Sequence, residues 1–280
     1  MPIKLSCSSI VTINVIKEFL LCKTSLENYH NVEWFICCDD ESAKNLQNFD
    51  NINIVKIIDL NFSPKEFLGD KGRDHEKWHA LMLYKLDAVY ASIDKNNYSI
   101  FLDSDMVFTN ALEDKFISLL NNTYIDGMFS PHMCNDIDIE KETGYYNGGF
   151  FVIKNIELAH RWAYLSKSAL NYNLYYEQQP LQFASYDFFI VSIPSNYNIS
   201  KWRFSQYSYK KPSKIIDILE DMKPDSICLK NDQIFYNNMP AVCFHTHYKD
   251  IYNYDFVAKK LIYLFKQSNN KNYKKNLNII

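Results

Sequence analysis

Strand and helix patterns alternate along residues 3–60, and this alternation narrows the possible architectures more than any other feature. Ile3–Ile10 reads as a strand, and Val15–Tyr29 has helical spacing through Ile16, Phe19, Leu20 and Leu26. Val32–Cys38 is an apolar run ending in Asp39-Asp40, and Ile52–Leu60 is another short strand. Continuous apolar strands are those buried on both faces, as in a parallel sheet. Their alternation with helices implies βαβ crossovers. The expected fold class is α/β, with a mainly parallel central sheet flanked by helices.

A polar loop over residues 61–76, carrying Pro64, Gly69 and Gly72, leads to a helix from His75 to Asp94. The next strand, Ser99-Ile100-Phe101-Leu102, delivers Asp103-Ser104-Asp105 at its end. Ligands of open α/β sheets bind beyond the carboxyl ends of the strands. Two aspartates placed there suit a hard cation and a charged ligand. A second D-x-D, Asp136-Ile137-Asp138, has no strand before it and reads as loop.

Further along, Thr123–Ser130, Gly149–Ile153, Phe188–Ile193 and Ala241–Phe244 read as strands or short apolar runs. His160–Leu170 and Tyr254–Phe265 read as helices, and residues 195–235 as irregular. No repeat or linker divides the chain, so one domain is expected over residues 1–267. The polar tail, 268–280, is expected to fray.

Four constellations stand out. On the helix before the aspartates, Trp78, Met82, Lys85 and Val89 share one stripe, which places Lys85 on the buried face. It either snorkels outward or serves as a fixed cation. Three of the six glycines fall within Gly144-Tyr145-Tyr146-Asn147-Gly148-Gly149, before a strand. That spacing fits a hairpin turn or close approach of backbone to a ligand. Glu177-Gln178 precedes a helix start with Pro180, so the pair either begins that helix or holds hydroxyls of a ligand. His245 and His247 point to one face if their strand continues, as plain strand-end residues, metal ligands or acid–base groups.

Composition narrows the function classes. A net charge of −3 with no basic face gives no reason to expect nucleic acid. The seven cysteines are scattered without zinc spacing, which suits reduced thiols. No apolar run is long enough for a membrane span, and no signal-peptide layout is visible, so a cytoplasmic protein is expected.

In this order the pieces resemble the GT-A glycosyltransferases that use nucleotide sugars, and within them the glycogenin-like and lipopolysaccharide-galactosyltransferase-like group. The resemblance runs from about Lys77 to His247. It is strongest over Leu83-Tyr84-Lys85-Leu86-Asp87-Ala88-Val89-Tyr90 and Phe101-Leu102-Asp103-Ser104-Asp105. It implies a Rossmann-like GT-A domain with a donor-binding half at about 1–110 and an acceptor-side half at about 111–267. It implies Mn²⁺ or Mg²⁺ held by Asp103, Asp105 and either His245 or His247. Lys85 and Ser104 would lie toward the donor diphosphate, as would His247. Asn147, Gly148 and Gly149 would lie beside the donor sugar, with Glu177 and Gln178 near the reacting face. The implied reaction moves a sugar from a donor, a UDP-sugar by resemblance, to a hydroxyl of a carbohydrate, protein or lipid-linked acceptor, with retention.

The chain also departs from that group. Tyr248-Lys249-Asp250 follows the histidines where the group has Gly and then Lys-Pro-Trp, so both histidines stay candidates. Glu177 stands for Asp, and Cys7-Ser8-Ser9-Ile10 shows no recognisable nucleotide contacts. An acceptor groove is expected near Trp202, Phe204, Tyr207 and Tyr209. Three rivals compete. One is a haloacid-dehalogenase-like phosphatase with Asp103 as nucleophile. Another is a nucleotidyltransferase, whose Gly-rich N-terminal loop is missing. The third is a non-catalytic sugar-binding protein on the same fold.

Overall fold

The computed structural model describes residues 4–59, 68–69, 72–73, 75–133, 137–203, 226–246 and 256–279. The strands are β1 (Lys4–Val11), β2 (Asn31–Cys38), β3 (Ile52–Ile57), a small hairpin β4 (Leu68–Gly69) and β5 (Gly72–Arg73), β6 (Ser99–Leu102) and β7 (Met106–Phe108). They continue with β8 (Gly127–Pro131), β9 (Tyr146–Ile153), β10 (Ile190–Ser192), β11 (Ile227–Lys230), β12 (Gln233–Tyr236), β13 (Met239–Pro240) and β14 (Cys243–His245). The helices used below are α1 (Ile16–Glu27), α2 (Asp40–Leu46), α3 (His75–Met82), α4 (Tyr84–Asn96), α5 (Asp114–Leu120), α6 (Ile137–Thr143), α7 (Ile156–Lys167) and α8 (Gln178–Ala184).

Seven strands form the main sheet in the order β10-β8-β9-β6-β1-β2-β3. The pairs β1–β2, β2–β3, β1–β6 and β8–β10 are parallel, and β9 runs antiparallel to both its neighbours. The sheet is thus mainly parallel, as the apolar runs imply. After β1 the chain moves outward to β2 and β3, then returns to place β6 on the other side of β1. That reversal opens a crevice at the carboxyl ends of β1 and β6.

The central strands bury both faces. On β1, Leu5, Cys7 and Val11 are buried in the apolar core, and the serines between them are buried in hydroxyl pairs. Ser6 Oγ lies 2.7 Å from Ser92 Oγ and Ser8 Oγ 2.7 Å from Ser99 Oγ, so these polar atoms are satisfied. On the other side of β6, Phe101 stacks on Phe151 at 5.0 Å, and Phe151 meets Trp162 of α7 edge-on. Asp39, which follows β2, caps α2 by accepting from Ser42 N, and its other oxygen accepts from Ile13 N.

Several expectations are corrected. The helix expected from His75 to Asp94 is two helices, α3 and α4, joined at Leu83. There Leu86 N donates to Leu83 O, three residues back, which tightens one turn. The second D-x-D is not loop where described, because Asp138 is an exposed residue of α6 paired with Lys141. The glycines at 148 and 149 lie inside β9 rather than in a hairpin turn. The segment expected to be irregular holds the antiparallel strands β11 and β12. The tail is not frayed: Lys271–Leu277 is a helix, and Tyr273 is fully buried against Phe265. A tail read as polar hides one well-placed aromatic, because its lysines face water while the ring fills the core. Among the described residues, no helix is long and apolar enough to cross a membrane.

Candidate functional site

β6 ends where Asp103 N still donates to Gly149 O of β9, and Met106 N then turns back onto Asp103 O. This turn carries the D-x-D. Its central residue points inward: Ser104 Oγ donates to Ile10 O at 2.6 Å, tying the turn to the end of β1. β7 leaves the main sheet and pairs with β14, which sets His245 opposite Met106. Thr246 closes the joint, because both its N and its Oγ1 donate to Asp105 O at 2.9 Å.

This joint brings Asp103, Asp105 and His245 together, with one ligand atom from each within 4.8 Å of the others. His245 Nε2 lies 3.0 Å from Asp105 Oδ1 and 3.7 Å from Asp103 Oδ2. The imidazole is buried, while the Asp103 and Asp105 side chains are 31% and 19% exposed, so the group opens on the carboxylate side. Burial opposes charge on His245, but the Asp105 and Asp103 carboxylates outweigh it and raise its pKa above the ordinary value. Two carboxylates and one imidazole form a donor set that suits Mn²⁺ and also Mg²⁺. His247 lies outside the described residues.

Lys85 neither snorkels nor points outward. It is 3% exposed, and its three N–H donors meet three acceptors. These are Glu177 Oε1 at 2.8 Å, Gly148 O at 2.9 Å and Asp103 Oδ1 at 3.1 Å. Burial alone would lower its pKa, but the Asp103 and Glu177 charges raise it above the ordinary lysine value. Lys85 therefore ties the Asp103 carboxylate to the start of α8. Glu177 is the residue before α8, and its carboxylate is directed at Lys85. Gln178 accepts from Gly148 N at 2.9 Å and donates to Thr143 O at 2.8 Å, so its amide holds the glycine segment in place.

Space requires a glycine at 149 and leaves little room at 148. A Cβ on Gly149 would sit 2.4 Å from His245 Cε1 and 2.6 Å from Asp103 Oδ2. A Cβ on Gly148 would sit 3.0 Å from Glu177 Oε1. Asn147 is buried beside them and accepts from Gly149 N through Oδ1.

Two residues at the site were missed by sequence reasoning. Asn198 is fully buried and hydrogen-bonded to His245 and Asn147. His132 is buried and bonded to Gly144 O and Asn147. No local pattern marks either one. Trp202, expected near an acceptor groove, sets its ring edge-on to His245 at 5.0 Å, with Nε1 donating to His132 O. Phe204, Tyr207 and Tyr209 lie outside the described residues.

No protein-family model and no curated protein matches the sequence. Solved structures do match the fold. A galactosyltransferase, LgtC, in complex with donor and acceptor sugar analogs superposes with a TM-score of 0.55 at 14% identity, over 97% of this chain and 99% of that one. The glycosyltransferase GlyE of Streptococcus pneumoniae gives a TM-score of 0.56 at 13% identity, over 99% of this chain and 62% of that one. Mouse xyloside xylosyltransferase 1 gives 0.50 at 9% identity, over 88% of this chain and 98% of that one. At these identities the likeness is one of architecture, and the architecture of this chain is the GT-A glycosyltransferase fold.

Proposed function

We propose that this protein is a metal-dependent glycosyltransferase. It would move a sugar from a nucleoside-diphosphate donor, a UDP-sugar, to a hydroxyl of a carbohydrate, protein or lipid-linked acceptor. One observation carries the reading. Asp103, Asp105 and His245 converge at the carboxyl end of β6, beside the sheet's reversal point, in a GT-A fold. Asp103, Asp105 and His245 would hold Mn²⁺ or Mg²⁺. When bound, that ion supplies Lewis-acid neutralisation of the charge that develops on a leaving diphosphate.

The protein's own groups contribute position and shape. Lys85 holds Asp103 and Glu177 in fixed relation through a buried ion network. Gln178 fixes Gly148, and the missing side chain of Gly149 leaves room at the carboxylates. Retention is the stereochemistry this reading favours. Inversion needs a carboxylate base at the acceptor hydroxyl. Among the described residues, the carboxylates of this group are all engaged: Asp103 and Glu177 are tied to Lys85, and Asp105 is tied to His245.

The test is nucleoside diphosphate release from a panel of nucleotide sugars with Mn²⁺. Release from one donor, lost on chelation and in Asp105→Ala, supports the reading. If no donor is bound or cleaved and metal changes nothing, the reading fails. Phosphate release from a phosphomonoester, abolished by Asp103→Asn, would establish the phosphatase instead.

A further inference from the structure

The donor and acceptor roles around His245 can be worked out from the backbone, with no choice left open. Gly149 N–H is a donor, so the Asn147 atom that meets it at 2.9 Å is the carbonyl Oδ1. That same Oδ1 lies 3.0 Å from Asn198, whose facing atom must then be the Nδ2 donor. Nδ2 also donates to Ser130 Oγ at 3.0 Å. The other end of the Asn198 amide is therefore Oδ1, an acceptor, and it lies 3.1 Å from His245 Nδ1. His245 must donate from Nδ1, which directs Nε2 at Asp103 and Asp105.

The far end is fixed the same way. Asn147 Nδ2 donates to His132 Nε2 at 3.2 Å. His132 Nδ1 then donates to Gly144 O, a backbone acceptor, at 3.1 Å. Burial pushes the His132 pKa down to about 4, in keeping with a neutral ring that accepts at Nε2.

The backbone at Asn198 is also unusual, with φ at 51°. Asparagine is among the few residues that adopt this left-handed conformation readily. Such conformations persist where surrounding structure holds them, often at functional sites. Ile199 N donates to Cys243 O and His245 N to Ile199 O, so the residue after Asn198 is laced to β14 at Cys243 and at His245.

We infer that Asn198 is a positioning residue that fixes His245 as a metal ligand through Nε2, and that Asn147 in turn fixes Asn198. The inference rests on the metal-dependent reading above. It gives Asn147 a structural duty toward the metal beyond any contact with a sugar. Partners that hold the second nitrogen of a ligating histidine commonly matter about 10- to 100-fold in metal affinity.

The test is Mn²⁺ affinity of the nucleotide-free protein, measured by electron paramagnetic resonance, alongside thermal melting. Asn198→Gly keeps the left-handed backbone and removes the amide, and its affinity is expected to fall by about 10- to 100-fold. Asn198→Asp, with a proton on the oxygen that faces Asn147 Oδ1, keeps both a donor for Asn147 and an acceptor for Nδ1–H and is expected to retain most of the affinity. Asn196→Ala loses its own hydrogen bonds to Glu113 and Pro240, two residues away. It is expected to lower the melting temperature and leave Mn²⁺ affinity unchanged. Affinity unaltered in Asn198→Gly, or equally weak in Asn198→Asp and Asn198→Gly, would overturn the inference while leaving the metal site standing. A wild-type protein that binds no Mn²⁺ would overturn the metal site and this inference together.

Discussion

Replacing Lys85 by methionine keeps the side-chain stem and removes the charge that joins Asp103 to Glu177. The Glu177 side chain is 6% exposed, so its carboxylate cannot turn to water for compensation. Removing one partner of a buried, hydrogen-bonded ion pair leaves the other charge uncompensated and costs about 3–5 kcal/mol. Asp103, being partly exposed, adds little. A chain of this length unfolds with an entropy near 0.6 kcal/mol per kelvin, so the variant should melt about 5–8 °C lower. Melting curves of wild type and Lys85→Met at pH 7 check this. A deficit under about 2 °C would refute the buried ion network as the structural role of Lys85.

Three further outcomes are expected. Gly149→Ala should lose Mn²⁺ binding and diphosphate release while still folding, since its methyl collides with His245 and Asp103; a calorimetric titration with Mn²⁺ reads this directly. Glu33→Gln should melt below wild type at pH 7, with the gap closing as pH falls from 4.5 toward 2. Burial would raise the Glu33 pKa, but hydrogen bonds from Lys95, Lys4, Asn96 and Asn53 outweigh it and hold the carboxyl at about 2. Its stabilising effect is therefore present above the unfolded value and lost below it. Tyr273→Ala should cost about 3–5 kcal/mol by chemical denaturation and leave Mn²⁺ affinity unchanged. The ring stacks on Phe265 and its hydroxyl donates to Thr109 O.

What could be read in the sequence was local. Apolar runs such as Val32–Cys38 and Ser99–Leu102 announce buried strands, and a D-x-D directly after one announces a crevice. Three glycines crowded beside Asn147 announce close packing, although they suggest a turn as readily as the strand that forms. The rest depends on distant contacts. Lys85 and Glu177 lie 92 positions apart, and nothing near either one signals the other. Asn198 sits in a stretch without periodicity, and its role arises only when β14 brings His245 to it. Alternation alone places His245 and His247 on one face; the pairing of β14 with β7 puts His245 at the carboxylates. Tyr273 is one aromatic among lysines and asparagines, too little for a periodic signal.

The clamp of Thr246 on Asp105 spans 141 residues of chain. A growing polypeptide has its two carboxylates long before it has the imidazole that faces them. During synthesis the turn at Asp103–Asp105 is therefore only a pair of acids on a strand end. The three-residue group exists only once β14 is paired with β7. An ion that binds the finished group and not the open chain adds its binding free energy to that pairing. Divalent metal would then act as a latch between β7 and β14.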